Sequence, residues 1–400
     1  MTSTTLKKLP VNRKKIDSTP PPPPPPCSQV RVRWSDLKRD VLYVIFRKLQ
    51  DYDPGDNNNT IYRCGNVCVS WQSVARSILP RYWLLSNENS CTFFNLFTKR
   101  VREISLPEEL EGRWFSVSSF GWLLTIGIES PHKIALINPF SPDHIIELPE
   151  AIQICNVSYF NRDLRVIMST NPLDPNCVFV AVSGDFIDIT PAFCKLGDES
   201  WTIMSKCAWI VRSWGVYEKC DARFYKGEFY SVDHKGNLFR VHLNSSSSFM
   251  IHYRCTDWPI PKSQTNEYRT VNYLVELNGD LLLVGRKIGR KKEYENTIGF
   301  DVYKWIQDEE EWSADPVKDI GNNVILLGQY SSVTVPAGPD VGDWKSNCIY
   351  FKDDVRYLRR PILQHYKDAG VYNIASREID RLPESWPRWM ISRANWLSPM

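Results

Sequence analysis

The residue types that usually carry catalysis are present in this chain but lie scattered. The six histidines are dispersed, with no two at metal-ligand spacing. His234 stands in Asp233-His234-Lys235-Gly236, a turn composition, and reads as a solvated position rather than a general base. Cys64 and Cys68 lie one helical turn apart, where two thiolates could share a zinc ion. A tetrahedral site needs a second Cys/His pair, and none stands nearby, so the spacing reads as core packing. Asp353-Asp354 would suit acid–base work, but the pair follows a strand-like run and reads as an exposed turn. The chain contains no G-x-S-x-G elbow, no phosphate-binding Walker loop, no H-E-x-x-H and no G-x-G-x-x-G after a strand. No catalytic, cofactor-binding or metal residue is therefore expected.

What remains is recognition chemistry. Arg286-Lys287-Ile288-Gly289-Arg290-Lys291-Lys292 lies between two strand-like runs and reads as a basic hairpin tip. Asp308-Glu309-Glu310-Glu311 reads as an acidic one. Such tips either keep a protein in solution or meet complementary charge on a partner.

Those tips must be carried by a scaffold, and composition bounds it. The chain has 400 residues, 42% hydrophobic and 24% charged, the profile of a soluble globular protein with room for more than one domain. Of the formal charge of +3, the leader before the proline run carries +4 (Lys7, Lys8, Arg13, Lys14 and Lys15 against Asp17). The rest is close to neutral and offers no broad basic face, so no nucleic-acid partner is expected. Eleven cysteines, odd in number and often in apolar runs such as Cys177-Val178-Phe179-Val180, fit reduced thiols in the nucleus and/or cytoplasm. No apolar run approaches the ~18 residues of a membrane span, so no membrane partner is expected. The N-terminus has no signal-peptide apolar region. Its Lys/Arg pairs read either as a solvated tail or as a weak nuclear-import signal.

Residues 1–33 form a basic, proline-rich leader, with Pro20 to Pro26 as an extended spacer. Helical periodicity occupies 34–80. Ser35 or Asp36 can cap a first helix, and Leu42, Ile45 and Leu49 make one apolar stripe. After a polar break, Asp51 to Thr60, the period resumes at Cys64, Val67, Cys68, Trp71, Val74, Ala75 and Ile78. Two or three helices over ~45 residues bury their own apolar faces poorly and complete their core on a partner.

From Cys91 onward the pattern becomes short β-rich runs between Gly, Asn, Asp and Pro turns. Strands are expected at Arg223–Lys226, Glu228–Val232 and Asn237–Val241. Tyr273–Leu277 and Asp280–Val284 flank Asn278-Gly279, a strong hairpin signal. Three segments share a strand, a charged turn and a second strand ending in Leu-Pro-Glu: Phe93 to Glu108, Ile134 to Glu150 and Gly370 to Glu384. The first two copies lie 42 residues apart, about one propeller blade. The stretch after them has room for about five more units. A β-propeller fits this spacing, and a pair of β-sandwiches remains the alternative. Trp386, Trp389 and Trp396 read as part of a strand that closes against the first blade.

Trp34-Ser35-Asp36-Leu37, a helix ending in Leu49, and Val67-Cys68-Val69-Ser70-Trp71-Gln72-Ser73-Val74-Ala75 together resemble the F-box of plant F-box proteins. The resemblance implies docking to an Skp-type adaptor and, through it, to a cullin-based ubiquitin ligase. Leu37, Leu42, Ile45, Leu49, Val67, Cys68 and Trp71 match the apolar positions that face the adaptor or hold the three-helix unit together. Lys38 departs from the family, which usually has Pro there, and the polar break is longer than usual. Asn347 to Asp354, Gly370-Val371-Tyr372, Leu326-Leu327-Gly328 with Ser331 to Val335, and the Trp/Pro-rich end at Trp386 to Trp389 resemble the KIB-type β-propeller of the same group.

The resemblance implies an α+β multidomain chain, with a small N-terminal helical F-box at 34–80 and an all-β propeller-like domain at 90–396. It implies a non-catalytic substrate receptor of an Skp–cullin–F-box ligase with an unknown client protein. The alternative is a propeller regulator whose F-box is degenerate. A propeller hydrolase is disfavoured by the missing constellations.

Overall fold

Among the described residues the amphipathic run after Trp34 becomes three helices, and the β-rich remainder becomes six sheets. The structure is a computed structural model. It describes residues 33–52, 57–65, 67–78, 82–86, 91–95, 101–104, 107–117, 119–127, 132–139, 144–150, 164–183, 192–204, 221–232, 236–243, 249–254, 268–290, 295–328, 331–338, 344–352, 368–381 and 394–397. By internal contacts the chain divides into two compact units, 1–37 and 38–400.

In the first unit Trp34–Asp36 form one 3-10 turn, where Ser35 Oγ donates to Asp36 Oδ1 at 3.2 Å. In the second unit helix α1 spans Arg39–Tyr52, α2 spans Asn57–Gly65 and α3 spans Val69–Ile78. The expected cap is corrected here. The Leu42 N–H bonds to Lys38 O at 3.1 Å, so the first helical turn closes on Lys38, and Ser35 and Asp36 belong to the turn before it. The polar break is also shorter than its composition suggests. Asn57 to Thr60 are already helical, because short polar side chains suit the first turn of a helix ahead of Ile61.

Each sheet is a blade. The second blade is a meander of Trp114–Val117, Leu123–Ile126, Ile134–Ile137 and Ile145–Leu148. The third takes Leu164–Met168, Val178–Ser183, Ala192–Lys195 and Thr202–Ile203. The fourth takes Asp221–Tyr225, Glu228–Val232, Leu238–Leu243 and Phe249–Arg254. The fifth has much longer strands, Tyr268–Leu277, Asp280–Arg290 and Glu295–Ile306, with short Glu311–Trp312 at its edge. The sixth has five strands in the order Val333–Pro336, Asn323–Leu326, Cys348–Phe351, Gly370–Asn373, Ile379–Arg381, the second and third being parallel.

The first blade holds Tyr82–Ser86, Cys91–Asn95 and Val101–Ile104, completed by Ala394–Leu397 from the far end of the chain. Trp83 stands opposite Trp396 in that pairing, so the expected closing strand is present. Trp386 and Trp389 lie outside the described residues, as does the third Leu-Pro-Glu. The first blade's strand Tyr82–Ser86 lies ahead of residue 90, where it gives the closing strand its partner. Among the described residues four sheets follow Leu148, where the spacing left room for about five units. The long strands of the fifth blade and the five-stranded sixth use more chain per blade than an average repeat.

The apolar cores lie between successive blades. Trp122, Leu124 and Leu136 of the second pack with Val166, Phe179 and Trp201 of the third. The Trp201 indole N–H donates to Pro149 O at 2.8 Å, which ties the Leu-Pro-Glu end of one blade to the next. Tyr225 and Tyr230 pack with Leu274, Leu283 and Trp305 between the fourth and fifth. Val271, Ile288 and Phe300 pack with Ile325, Ile349 and Phe351 between the fifth and sixth.

The expected hairpins are found. Leu277 pairs with Asp280 across Asn278-Gly279, whose φ values of 52° and 82° are those of a type I′ turn. Gly370 marks a different constraint, close approach. A Cβ there would stand 2.8 Å from Asp380 O and 3.1 Å from Phe351 Cζ. Gly370→Ala is expected to lower stability by about 1–3 kcal/mol in urea titration, and an unchanged midpoint would show that the sixth blade yields at this point.

Candidate functional site

Two features could do work: the helical unit and the polar framework of the propeller. In the helical unit, Leu42 and Phe46 of α1, Ile61 of α2, and Val74 and Ala75 of α3 are fully buried. Phe46 meets Trp71 edge-on with ring centroids 5.5 Å apart. These residues fill an internal core. Among the described residues of this unit, the large apolar side chains left outside are Val41 (45% exposed), Val44 (53%), Val67 (57%) and Val69 (82%).

The seven positions singled out from sequence are therefore divided. Leu42 belongs to the inner core and does not face outward. Ile45, Leu49, Cys68 and Trp71 are half-buried, and Val67 is exposed. Leu37, in the first unit, is half-buried. Phe46, Val41, Val44 and Val69 were missed. Their signal was there: Val41 and Val44 are three apart, on a helix face out of phase with Leu42 and Phe46. Cys64 and Cys68 are half-buried thiols, Cys68 Sγ lies 3.1 Å from Ser70 Oγ, and burial raises the Cys64 thiol above its ordinary value. Cys177, Cys194 and Cys348 are free and buried, as their apolar settings suggested. Among the described residues no three His, Cys, Asp or Glu side chains cluster as a metal site would, and no helix is long and apolar enough to cross a membrane. His234 and Asp353-Asp354 lie outside the described residues.

The basic run 286–292 is not one hairpin tip. Arg286 to Arg290 continue a strand, and Arg286 is 1% exposed. Its guanidinium donates to Asp368 Oδ2 at 2.8 Å, Thr297 Oγ1 at 2.7 Å and Lys352 O at 2.9 Å. Asp368 Oδ2 also accepts the Thr297 N–H at 2.9 Å and its hydroxyl at 2.7 Å, while Arg381 donates to Oδ1. The Phe351 ring lies 5.0 Å from the Arg286 guanidinium carbon. A charge in such a setting needs fixed partners, and this one has them. Alternation alone could not reveal them, because Asp368 is 82 residues away in sequence.

Burial by itself would raise the Asp368 carboxyl. The charge of Arg286, the Thr297 hydrogen bonds and Arg381 outweigh it and hold that carboxyl below its ordinary value. A depressed carboxylate stabilises the fold above the unfolded-state value, and the contribution fades as pH falls through the folded one. Thermal midpoints are expected to drop as pH falls below ~4, with a shallower drop in Asp368→Asn. Parallel pH profiles for the two proteins would show that Asp368 contributes nothing to acid sensitivity.

A second framework joins the inner strands. Asp221, where the fourth blade begins, accepts from Arg165 of the third at 2.9 Å and from the Leu274 N–H of the fifth at 2.9 Å. Arg223 donates to Leu274 O at 3.3 Å and to Ser332 O. Both buried carboxylates are committed to arginines and backbone N–H groups, an arrangement that fixes blades rather than moving protons. The acidic run does form an exposed turn, Gln307 to Glu310, with Glu310 paired to Arg240 of the fourth blade at 3.2 Å.

The class follows from this geometry: a β-propeller preceded by three small helices that leave apolar side chains outside. The profile of the KIB1-4 beta-propeller family matches residues 93–373, and the chain belongs to that family. It is similar to the F-box protein SKIP23 of Arabidopsis thaliana, 23% identical, covering 91% of this chain and 97% of that protein. It is also similar to the Arabidopsis F-box proteins At3g25750, 24% identical over 80% of this chain and 88% of that protein, and At1g65770, 25% identical over 80% and 89%. The resemblance to plant F-box proteins with a KIB-type propeller is thus borne out.

Proposed function

We propose that the chain is the substrate-recognition subunit of an Skp–cullin–F-box ubiquitin ligase. The helical unit takes an Skp-type adaptor, and the propeller takes a client protein. The observation that carries this reading is the set Val41, Val44, Val67 and Val69, exposed although the core beneath is already filled. Exposed apolar side chains on so small a unit suit burial against a partner. Similarity to named F-box proteins over most of the chain supports the same reading. The chain itself performs no chemistry in this scheme. It raises the effective concentration of a client lysine near the ubiquitin-charged enzyme. We assign it to the nucleus and/or cytoplasm.

Lys38, exposed and in place of the family's usual Pro, favours the second reading, a propeller regulator whose helices have left the adaptor. Co-purification decides between them. The full chain is expected to capture an Skp-type adaptor and to lose it on Leu37→Ala with Ile45→Ala. Absence of capture by the wild-type chain, or capture that survives the double substitution, sinks the ligase reading.

A further inference from the structure

The inner strands of the third to sixth blades meet around one guanidinium. Leu274, in the fifth blade's inner strand, pairs with Leu283 of the next strand, yet it gives its N–H to Asp221 and its C=O to Arg223. Both backbone groups of Leu274 therefore point away from that next strand, toward the channel that propeller blades enclose. Arg223 Nε donates to Leu274 O at 3.3 Å, and Nη2 reaches past the fifth blade to Ser332 O, just ahead of the sixth blade's inner strand. A side chain that starts in the fourth blade and touches both of the next two holds its guanidinium in the axial channel. Arg165 of the third blade extends the belt through Asp221 at 2.9 Å.

Arg223 is held differently from Arg286. All three nitrogens of Arg286 donate, one of them to the Asp368 carboxylate. Arg223 has two neutral carbonyl oxygens instead. Among the described residues its Nη1 meets no acceptor, and no carboxylate lies within ion-pair distance of the guanidinium. The Asp221 carboxylate is already taken by Arg165 and by the N–H groups of Ala222 and Leu274. Burial pushes the Arg223 guanidinium below its ordinary value, although Asp221 and Glu276 pull it up, and it stays charged at any working pH. A half-buried guanidinium with one nitrogen uncommitted is an incompletely partnered charge.

We propose that Arg223 anchors a carboxylate-binding site in the axial channel, with Nη1 as the donor. The inference stands on the propeller alone and goes beyond the ligase reading. A carboxylate accepts from a guanidinium in its own plane, and the bond is charge-assisted. Charge chooses between the oxyanions. A phosphate group brings about two negative charges at pH 7 and would meet the fields of Asp221 and Glu276. A carboxylate brings one. It belongs either to a free small acid or to the end of a client chain, and the chemistry at Arg223 is the same for both.

Fluorine NMR with trifluoroacetate as the probe reads this site on the full chain. The wild-type protein is expected to broaden the probe line saturably, and acetate to sharpen it again by displacement. Arg223→Gln is expected to bind the probe about tenfold more weakly, the size of one hydrogen bond to a charged group. Arg223→Lys keeps the charge but loses the free nitrogen, and is expected to bind several-fold more weakly. Arg377→Gln, at an exposed turn, should match wild type. Unfolding midpoints are taken beside each titration, and Arg223→Lys carries the comparison where Arg223→Gln lowers its midpoint. N-acetyl triglycine, set against its C-terminal amide, separates the sources. Displacement well below the concentration that acetate needs assigns the site to a chain end, and displacement equal to acetate's assigns it to a free acid. The proposal is overturned if the wild-type protein leaves the probe line sharp, or if a folded Arg223 variant binds the probe as wild type does. It is also overturned if inorganic phosphate displaces the probe better than acetate. The wild-type titration overturns it without any variant.

Discussion

Replacing Asp368 by Asn is expected to lower the free energy of unfolding by about 3–5 kcal/mol, the range for breaking a buried ion pair by removing one partner. The size follows from what is stranded. Arg286 stays positively charged at 1% exposure, since a guanidinium does not give up its proton at any working pH. The Thr297 N–H also loses an ionised acceptor, and hydrogen bonds to charged groups are the stronger kind. Arg381, whose side chain is 41% exposed, can turn to water, so Arg381→Ala is expected to lose much less, about 1 kcal/mol. Arg286→Met added to Asp368→Asn should recover part of the loss, because the uncompensated charge is then gone. Urea titration of the four proteins measures this. A single-variant loss under about 1 kcal/mol would mean that water reaches the pair.

Val41→Asp with Val44→Asp is expected to weaken adaptor capture about 100-fold, roughly 2.7 kcal/mol. Each valine side chain buried against a partner contributes about 1.5–3 kcal/mol, and each new carboxylate would have to be desolvated. Folding should hardly change. Both positions are exposed in the first turns of α1, where acidic side chains suit the helix dipole. Leu42→Ala behaves differently, with a loss of about 2–5 kcal/mol in stability, because Leu42 is walled in by its own unit. Titration calorimetry with purified adaptor, beside thermal melts, separates the two effects. Equal affinity for the double variant would move the docking surface elsewhere on the helices.

The contrast between Leu42 and Val44 shows how far patterning reaches. Period 3.6 correctly places both on a helix. It cannot say which of two apolar faces meets the other helices, because that depends on how α1 crosses α3. Likewise, Asn57 to Thr60 looked like loop from composition, and helix propagation from Ile61 back through α2 overrode it. The high charge of 286–292 reads as a hairpin tip, yet Arg286 to Arg290 are strand. Its strand continues because Asp368, Thr297 and Lys352 receive the charge that the sequence displays.

By itself the sequence determined the classes of element and their order. Helical period came before Pro80 and strand period after it, Asn278-Gly279 turned a hairpin, and the Leu-Pro-Glu at 148–150 marked the end of an outer strand. Each of these is written in residues close to one another, so local sterics and apolar spacing suffice. Only the tertiary structure decided the pairing of the described strands into sheets, the closing strand opposite Tyr82–Leu85, the burial of Arg286 on Asp368, and the length of the fifth blade's strands. Those depend on partners tens to hundreds of residues apart, where loop closure and packing between blades choose the pairing and no local pattern can.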